Sequence, residues 1–265
     1  MNKPALFQAR WNVRGLLLCN LIAFALIGLW LLPTGHALFT SFDEWLFHLL
    51  NQPLADHVVW RSIWAVASMR PFDIIVGLIL LSLLIRGNWV IEAIHSRRAT
   101  FAFVSMLVLL LIIRAVFDKV CDAMGWQHHS PSLVLSDAIR LSDLYPHIDS
   151  HLELKDGSNQ SFPGDHASVL LIWGMFMSIF ARRFGQYLVI WGLVLLFSMP
   201  RLVAGAHWGQ DDYIGGVSMA LLALGWGYYT PYAASISGWL LRVTQPLFRV
   251  LQRLPLFKCL SVVSA

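Results

Sequence analysis

The sequence predicts an all-α protein whose helices cross a membrane six times, and three observations support this fold class. Apolar residues make up 57% of the chain. Only 13% of the residues are charged, whereas soluble domains carry roughly a quarter. Apolar segments long enough to span a bilayer recur along the sequence. A water-soluble globule of this composition would aggregate, and the low charge excludes a disordered chain.

Six predicted spans fill most of the chain before residue 230. The first runs from about Arg14 to Leu32, and because it is longer than a secretory signal core, we expect a retained helix. The second is predicted over 72–85 and is extended backwards through 58–68. The remaining spans are expected over 101–116, from 167 to just before Arg182, over 187–203 and over 213–229.

Two segments outside these spans complete the predicted organisation. A long outer loop, from Gln127 to His166, connects the third and fourth spans and is expected to fold over a site. The chain is predicted to divide into a membrane domain, 1–229, and a cytoplasmic amphipathic segment, 230–265. In that segment arginines recur opposite leucines, which is typical of a helix on a membrane surface. Pro246 and Pro255 are expected to break it into one or two short helices.

Charge sorting predicts the orientation of the spans. Lysine and arginine cluster before the first span, after the second, after the fourth and after the sixth. These clusters place both termini in the cytoplasm, and they account for the positive net charge without nucleic acid. Nearly every carboxylate and most histidines fall on the opposite side, although wet outer loops suit histidine in any case. Cys19, Cys121 and Cys259 fall at different depths or sides, so no disulfide framework is expected.

The segment before the fourth span is the first candidate site. Pro163 and Gly164 predict a tight turn, and Asp165 is suited to cap the following helix. His166 then lies in the first turn, where free backbone N–H groups favour an anion. An ordinary turn and cap with an incidental histidine is the alternative, since such turns are common.

The junction of the fifth and sixth spans is the second candidate site. Arg201, toward the outer end of a span, needs an anionic partner. His207 and Asp211 are four residues apart, so a helical start would place them on one face. A carboxylate on one imidazole nitrogen makes the other a better nucleophile or base. The alternative is an interfacial pair beside a snorkelling arginine. His128 and His129 open the outer loop and are candidate phosphate donors, although two histidines make a weak motif.

These residues resemble a known family. Arg201, His207 and Asp211 reproduce the spacing of the Ser-Arg-x5-His-x3-Asp signature of the type-2 phosphatidic acid phosphatase superfamily, and 163–166 resembles its Pro-Ser-Gly-His motif. Ser161–His166 and Gly205–Trp208 look most like the lipid A 1-diphosphate synthase and undecaprenyl diphosphate phosphatase branch. Those enzymes take a phosphate from undecaprenyl diphosphate, and the synthases add it to lipid A at the outer leaflet of a bacterial inner membrane.

The resemblance implies a role for each candidate residue. His207 would be the nucleophile, oriented by Asp211, and His166 the general acid and base. Arg201 and the amides near Gly164 would bind phosphate and stabilise the charge on its oxygens. No metal or other cofactor is implied, and the implied partners are the membrane and its lipids, not nucleic acid. The resemblance also places the site at the periplasmic face of a multi-pass inner-membrane protein.

Departures from the family pattern keep alternatives open. The Lys-x6-Arg-Pro motif is absent, and Gln127 and His128 stand where its basic pair would align. Pro200 replaces the signature serine, and Gly164-Asp165 replaces Ser-Gly. A phosphatase acting on undecaprenyl diphosphate or phosphatidate is therefore the first alternative to a phosphotransferase. A non-catalytic lipid-binding or transport protein is the second.

Overall fold

The computed structural model describes Phe7, residues 9–254 and residues 260–264. Within these residues the secondary structure is helical, apart from one isolated antiparallel bridge between Met69 and Leu154. A single 3₁₀ turn precedes the sixth helix, and a π-helical segment, Asp211–Gly216, precedes the twelfth. The helices in chain order are α1 (Val13–Leu31), α2 (Pro33–Asn51), α3 (Pro53–Asp56), α4 (Val58–Ser68), α5 (Arg70–Ile85), α6 (Ser96–Met124), α7 (Pro131–Val134), α8 (Leu141–Leu144), α9 (Pro146–Leu152), α10 (Asp165–Phe180), α11 (Phe184–Val203), α12 (Val217–Tyr228), α13 (Tyr232–Leu251) and α14 (Ser261–Ser264).

The described helices confirm the all-α class and the membrane character of the chain. Three are long and apolar enough to cross a bilayer: α1, the segment Ala93–Met124 that contains α6, and α11. The helix α10 is apolar but shorter. Large apolar side chains such as Leu21 and Leu195 are exposed on the outer faces of α1 and α11, where lipid would cover them. The count of six spans stays a prediction.

The second predicted span differs from the structure, because its backward extension is a separate helix. The chain leaves the helical conformation at Met69, between α4 and α5. Pro71 follows in the first turn of α5, where its missing N–H is harmless but where it prevents α4 from continuing. The outer loop enters this break: the Arg70 amide donates to the Glu153 carbonyl, and the Lys155 amide donates to the Ser68 carbonyl.

Two other segments also differ from expectation. Residues 33–51, for which no helix is predicted, form the 19-residue helix α2. The predicted break at Pro246 is wrong, because α13 continues through it from Tyr232 to Leu251. Pro246 lies on the exposed side of α13, so the backbone carbonyl that loses its partner is not buried in the core. The predicted break at Pro255 lies outside the described residues.

The helix α12 occupies the centre of the structure and packs against α1, α6 and α10. Buried side chains of the surrounding helices, including Met106, Trp173, Phe176 and Met219, form the main apolar core. Cys19 and Cys121 are buried free thiols, as expected without a disulfide framework, and Cys259 lies outside the described residues. This core fixes the ends of α10, α11 and α12 relative to one another.

The two ends of α10 face different environments. At its C-terminal end the basic segments meet: Arg182 lies 3.9 Å from Glu92, and the Arg97 guanidinium donates to carbonyls of Val262 and Val263. At its N-terminal end lie the turn 161–164 and the junction of α11 with the π-helical segment. Two of the basic segments that the sequence places on one side thus lie at one end of α10, and the orientation of the spans stays a prediction.

Candidate active site

The turn before α10 packs directly against the start of the π-helical segment. The Gly164 amide donates to the Asp211 carbonyl at 2.8 Å. A Cβ at Gly164 would lie 2.9 Å from that carbonyl oxygen and would also meet the Asp212 carboxylate, so glycine is required for the close approach. Because the Gly164 amide already has this partner, it is not a free phosphate donor, which corrects the expectation from the sequence.

Asp165 is the first residue of α10 rather than its cap. Gly164 occupies the N-cap position, which corrects the predicted role of Asp165. Its carboxylate still accepts a first-turn hydrogen bond, from the His166 amide at 2.6 Å. The same carboxylate oxygen lies 3.3 Å from His207 Nε2. Asp165 therefore connects the two halves of the site.

A glycine turn after α11 delivers His207 to the site. Gly205 adopts a left-handed conformation with φ +79°, which is costly for residues with a side chain. The turn reverses the chain, and the amides of Ala206 and His207 both donate to the Arg201 carbonyl. His207 consequently lies beside the last turn of α11, which carries Arg201.

Hydrogen bonds fix the imidazole of His207. Its Nδ1 lies 2.9 Å from the Ser161 carbonyl and 3.5 Å from Asp211 Oδ2. A carbonyl oxygen only accepts, so Nδ1 carries the proton and Nε2 points toward Asp165. Burial lowers the pKa of His207, but hydrogen bonds to the Asp165 and Asp211 carboxylates outweigh it and raise the pKa to about 10. These two carboxylates therefore favour the protonated form of His207.

Asp211 is completely buried and has three partners. Its carboxylate accepts from the Trp208 amide at 2.8 Å and from His128 Nε2 at 2.9 Å, in addition to the contact with His207. His128 thus supports the carboxylate that faces His207, and it does not line the cavity described below. His129 has an exposed side chain, and its carbonyl accepts from the Trp208 indole. The geometry does not support phosphate binding by either histidine.

Arg201, Asp73 and His166 form a second group of polar contacts in the site. The buried Arg201 guanidinium lies 2.5 Å from Asp73 Oδ2, and its other nitrogen donates to the Ser68 carbonyl at 3.4 Å. His166 Nε2 lies 3.1 Å from the Phe197 carbonyl, so Nε2 carries a proton and Nδ1 faces Asp73 at 3.8 Å. Asp73, on α5, therefore contacts both residues that the sequence assigns to phosphate binding and proton transfer.

Residues of both groups, including His166 and His207, line one cavity of about 530 Å³. His166, Arg201 and His207 line its polar end, and residues of the outer loop also line it. Its other wall is apolar and is formed by side chains of α5, α6 and α10. Residues of the outer loop therefore reach the cavity, and the predicted folding of the loop over the site stays a prediction. The residues of the loop that line the cavity are Lys155, Gly157, Ser158 and Gln160.

Three groups that contribute to the site are not predicted from the sequence. Asp73 lies inside the predicted second span and is not among the predicted site residues. An ionisable residue within a membrane helix is nevertheless a functional signal. Arg114 gives the same signal in the most hydrophobic span, and it lines the cavity from α6. The Ser161 carbonyl, the nearest partner of His207 Nδ1, leaves no mark on the sequence because any residue supplies a carbonyl.

Comparison with known proteins identifies the family of this chain. Residues 125–236, which contain both halves of the site, match the PAP2 superfamily. The chain is 30% identical over 223 residues to the lipid A 1-diphosphate synthase of Escherichia coli (strain K12), across 83% of this chain and 89% of that protein. The chain belongs to the PAP2 superfamily. No solved structure matches the chain.

Membership of this superfamily makes the protein a membrane enzyme of the phosphatase and phosphotransferase type. The matched region begins at Gly125, just after α6, and ends within α13. The residues Asp73 and Arg114 lie outside it, on α5 and α6, and still reach the cavity. The site is therefore wider than the region that carries the family signature.

Proposed function

We propose that this PAP2 enzyme transfers the terminal phosphate of undecaprenyl diphosphate to lipid A 1-phosphate through a phosphohistidine on His207. The observation that carries the proposal is the orientation of His207, whose Nδ1 is engaged by the Ser161 carbonyl while Nε2 faces the cavity. Once Nε2 has lost its proton, an imidazole held in this way has one nitrogen available for attack. The resemblance to lipid A 1-diphosphate synthase supports the choice of substrates.

In the first step His207 Nε2 attacks the terminal phosphorus. A P–N bond forms, and the P–O bond to the inner phosphate breaks, so that undecaprenyl phosphate leaves. The Asp165 carboxylate, 3.3 Å from Nε2, must move aside as the phosphoryl group enters. Before attack the Asp165 carboxylate accepts the proton from Nε2, with which it is in contact, so that the attacking nitrogen carries a lone pair. Arg201 stabilises charge on the equatorial oxygens of the phosphoryl group.

His166 serves as the general acid in this step and as the general base in the next. Its Nε2 is engaged by the Phe197 carbonyl, so Nδ1 is the atom that exchanges a proton with substrate. In the second step Nδ1 removes a proton from the acceptor, whose oxygen attacks phosphorus and breaks the P–N bond. General acid–base help of this kind contributes about 10²–10⁴-fold in rate.

Hydrolysis is the alternative that uses the same first step. Water in place of the lipid A phosphate would release inorganic phosphate and give an undecaprenyl diphosphate or phosphatidate phosphatase. Polar residues of the outer loop that line the cavity, such as the exposed Gln160 and the half-buried Lys155, leave room for either acceptor. We place the enzyme in a bacterial inner membrane with this loop in the periplasm, as the charge sorting predicts.

A labelled-phosphate assay tests the proposal. The purified enzyme in detergent is given undecaprenyl diphosphate labelled in its terminal phosphate, with and without lipid A 1-phosphate. Label in lipid A supports transfer, label in inorganic phosphate alone supports hydrolysis, and no cleavage contradicts both. His207→Ala should abolish cleavage and the acid-labile labelled protein, whereas His129→Ala, a histidine outside the cavity, should retain activity.

A further inference from the structure

One arginine that lines the cavity, Arg114, lies within an apolar helix. Arg114 lies on α6 directly after the apolar run 107–113. It lines the same cavity as His166, Arg201 and His207. A charged side chain in such a segment is costly unless it faces a partner or a cavity, and it marks a functional position.

The contacts of Arg114 leave much of its guanidinium without a partner. Its Nη2 reaches the Pro163 carbonyl at 3.5 Å, a long hydrogen bond. Its Nε is buried and, among residues 7, 9–254 and 260–264, has no hydrogen-bond partner. A guanidinium carries five N–H donors and no acceptor, and a buried donor without a partner costs free energy. Such a group in a cavity is suited to an anion.

The position of Arg114 within the cavity indicates which anion. Leu111, about one helical turn before Arg114, belongs to the apolar wall together with Val76, Leu80 and Leu170. Arg114 therefore lies where the apolar wall meets the polar end. A lipid diphosphate with its terminal phosphoryl group at His207 and its hydrocarbon along this wall would bring its inner phosphate to that boundary.

We propose that Arg114 binds the inner phosphate of a lipid diphosphate, the group that stays on the departing lipid. This inference rests on the proposed function. It assigns a binding residue to the inner phosphate, whereas His207 reacts only with the terminal phosphoryl group. Negative charge grows on the inner phosphate as the P–O bond breaks, and the fixed cation stabilises it while His166 supplies the proton. Arg114 thereby takes over phosphate binding from the basic pair that is missing near Gln127 and His128.

Two soluble substrates with the same hydrocarbon separate this role from a general charge effect. Farnesyl diphosphate has an inner phosphate, and farnesyl monophosphate has only the phosphate that is transferred to His207. Arg114→Gln should lower kcat/KM for the diphosphate about 10- to 100-fold, the range expected for a charge-assisted hydrogen bond. For the monophosphate we expect a loss below about threefold. Arg114→Lys should recover part of the lost activity, because it restores charge without the fork of donors.

Arg70 provides the matched control at the rim of the cavity. Its side chain is 65% exposed and pairs with Glu153. Arg70→Gln should change both substrates by the same small factor, since exposed charges are screened. Equal losses on both substrates with Arg114→Gln would contradict the proposal, because they would indicate only a change in the field of the cavity.

Binding of unreactive analogues distinguishes this inference from the proposed function. Farnesyl methylenebisphosphonate and farnesyl phosphonate are titrated against the wild type, Arg114→Gln and Arg114→Lys, each checked for its melting midpoint. Weaker binding of the bisphosphonate alone by Arg114→Gln supports the role of Arg114 even if the wild type cleaves neither substrate, in which case the proposed function fails. Unchanged binding of the bisphosphonate by a folded Arg114→Gln overturns the inference. If Arg114→Gln does not fold, full bisphosphonate binding and turnover by Arg114→Lys would likewise count against a role for the forked guanidinium.

Discussion

Asp73→Asn tests whether the carboxylate on α5 positions the catalytic groups. Asp73 lies 2.5 Å from Arg201 and 3.8 Å from His166 Nδ1, so asparagine keeps the shape and removes the charge. The substitution should lower kcat, because protonated His166 and the orientation of Arg201 both lose their counter-charge. It should also lower KM, because an anionic substrate then enters a cavity with one fewer negative charge.

The magnitude follows from the distances and the exposure. Unit charges about 4 Å apart interact by roughly 4 kcal/mol at an effective dielectric of 20. The Asp73 side chain is 35% exposed, so water and salt screen the interaction, and about 1–2 kcal/mol remains. Since about 1.4 kcal/mol corresponds to a tenfold change in rate, kcat should fall about 5- to 30-fold.

Steady-state kinetics with a short-chain lipid diphosphate in detergent measure the two parameters separately. Asp137→Asn serves as the control, because this carboxylate is 56% exposed and pairs with His48 outside the cavity. It should leave both parameters near those of the wild type. The reasoning about Asp73 is refuted if Asp73→Asn leaves kcat unchanged. It is also refuted if the substitution raises KM.

Three further outcomes concern the turn, the nucleophile and metal ions. Asp165→Asn removes a carboxylate that raises the pKa of His207; because Nε2 attacks only when unprotonated, the acidic limb of kcat/KM should move to lower pH, and an unmoved profile contradicts the contact. Gly164→Ala places a Cβ 2.9 Å from the Asp211 carbonyl. It should lower the free energy of unfolding by about 1–3 kcal/mol, seen as a lower melting midpoint. Gly28→Ala is the control and should not lower the midpoint, because a Cβ at Gly28 meets nothing within 4 Å. Activity should persist in excess chelator because the arginines of the cavity supply positive charge, and loss restored by a divalent ion would show otherwise.

The sequence determines the helices of this protein and much of its site, because the signals are local. Long apolar runs specify α1, α6 and α11, since each must satisfy its own backbone hydrogen bonds in lipid. The turn at Pro163–Gly164 and the spacing of Arg201 and His207 follow from a few neighbouring residues. The predictions fail at α2 and at Pro246 because the packing and exposure of the side chains there outweigh the local preference of the sequence.

Only the tertiary structure decides which side chains meet across the helices. Asp73 pairs with a guanidinium 128 positions later in the chain, and Arg114 reaches the carbonyl of Pro163, 49 positions away. His128 lies beside Asp211, 83 positions later in the chain. Periodicity reports which face of a helix is apolar, but the rotation and depth of each helix depend on how all their side chains pack together. For that reason the sequence predicts an anion site at this end of the bundle, and the fold decides which charged side chains lie together there.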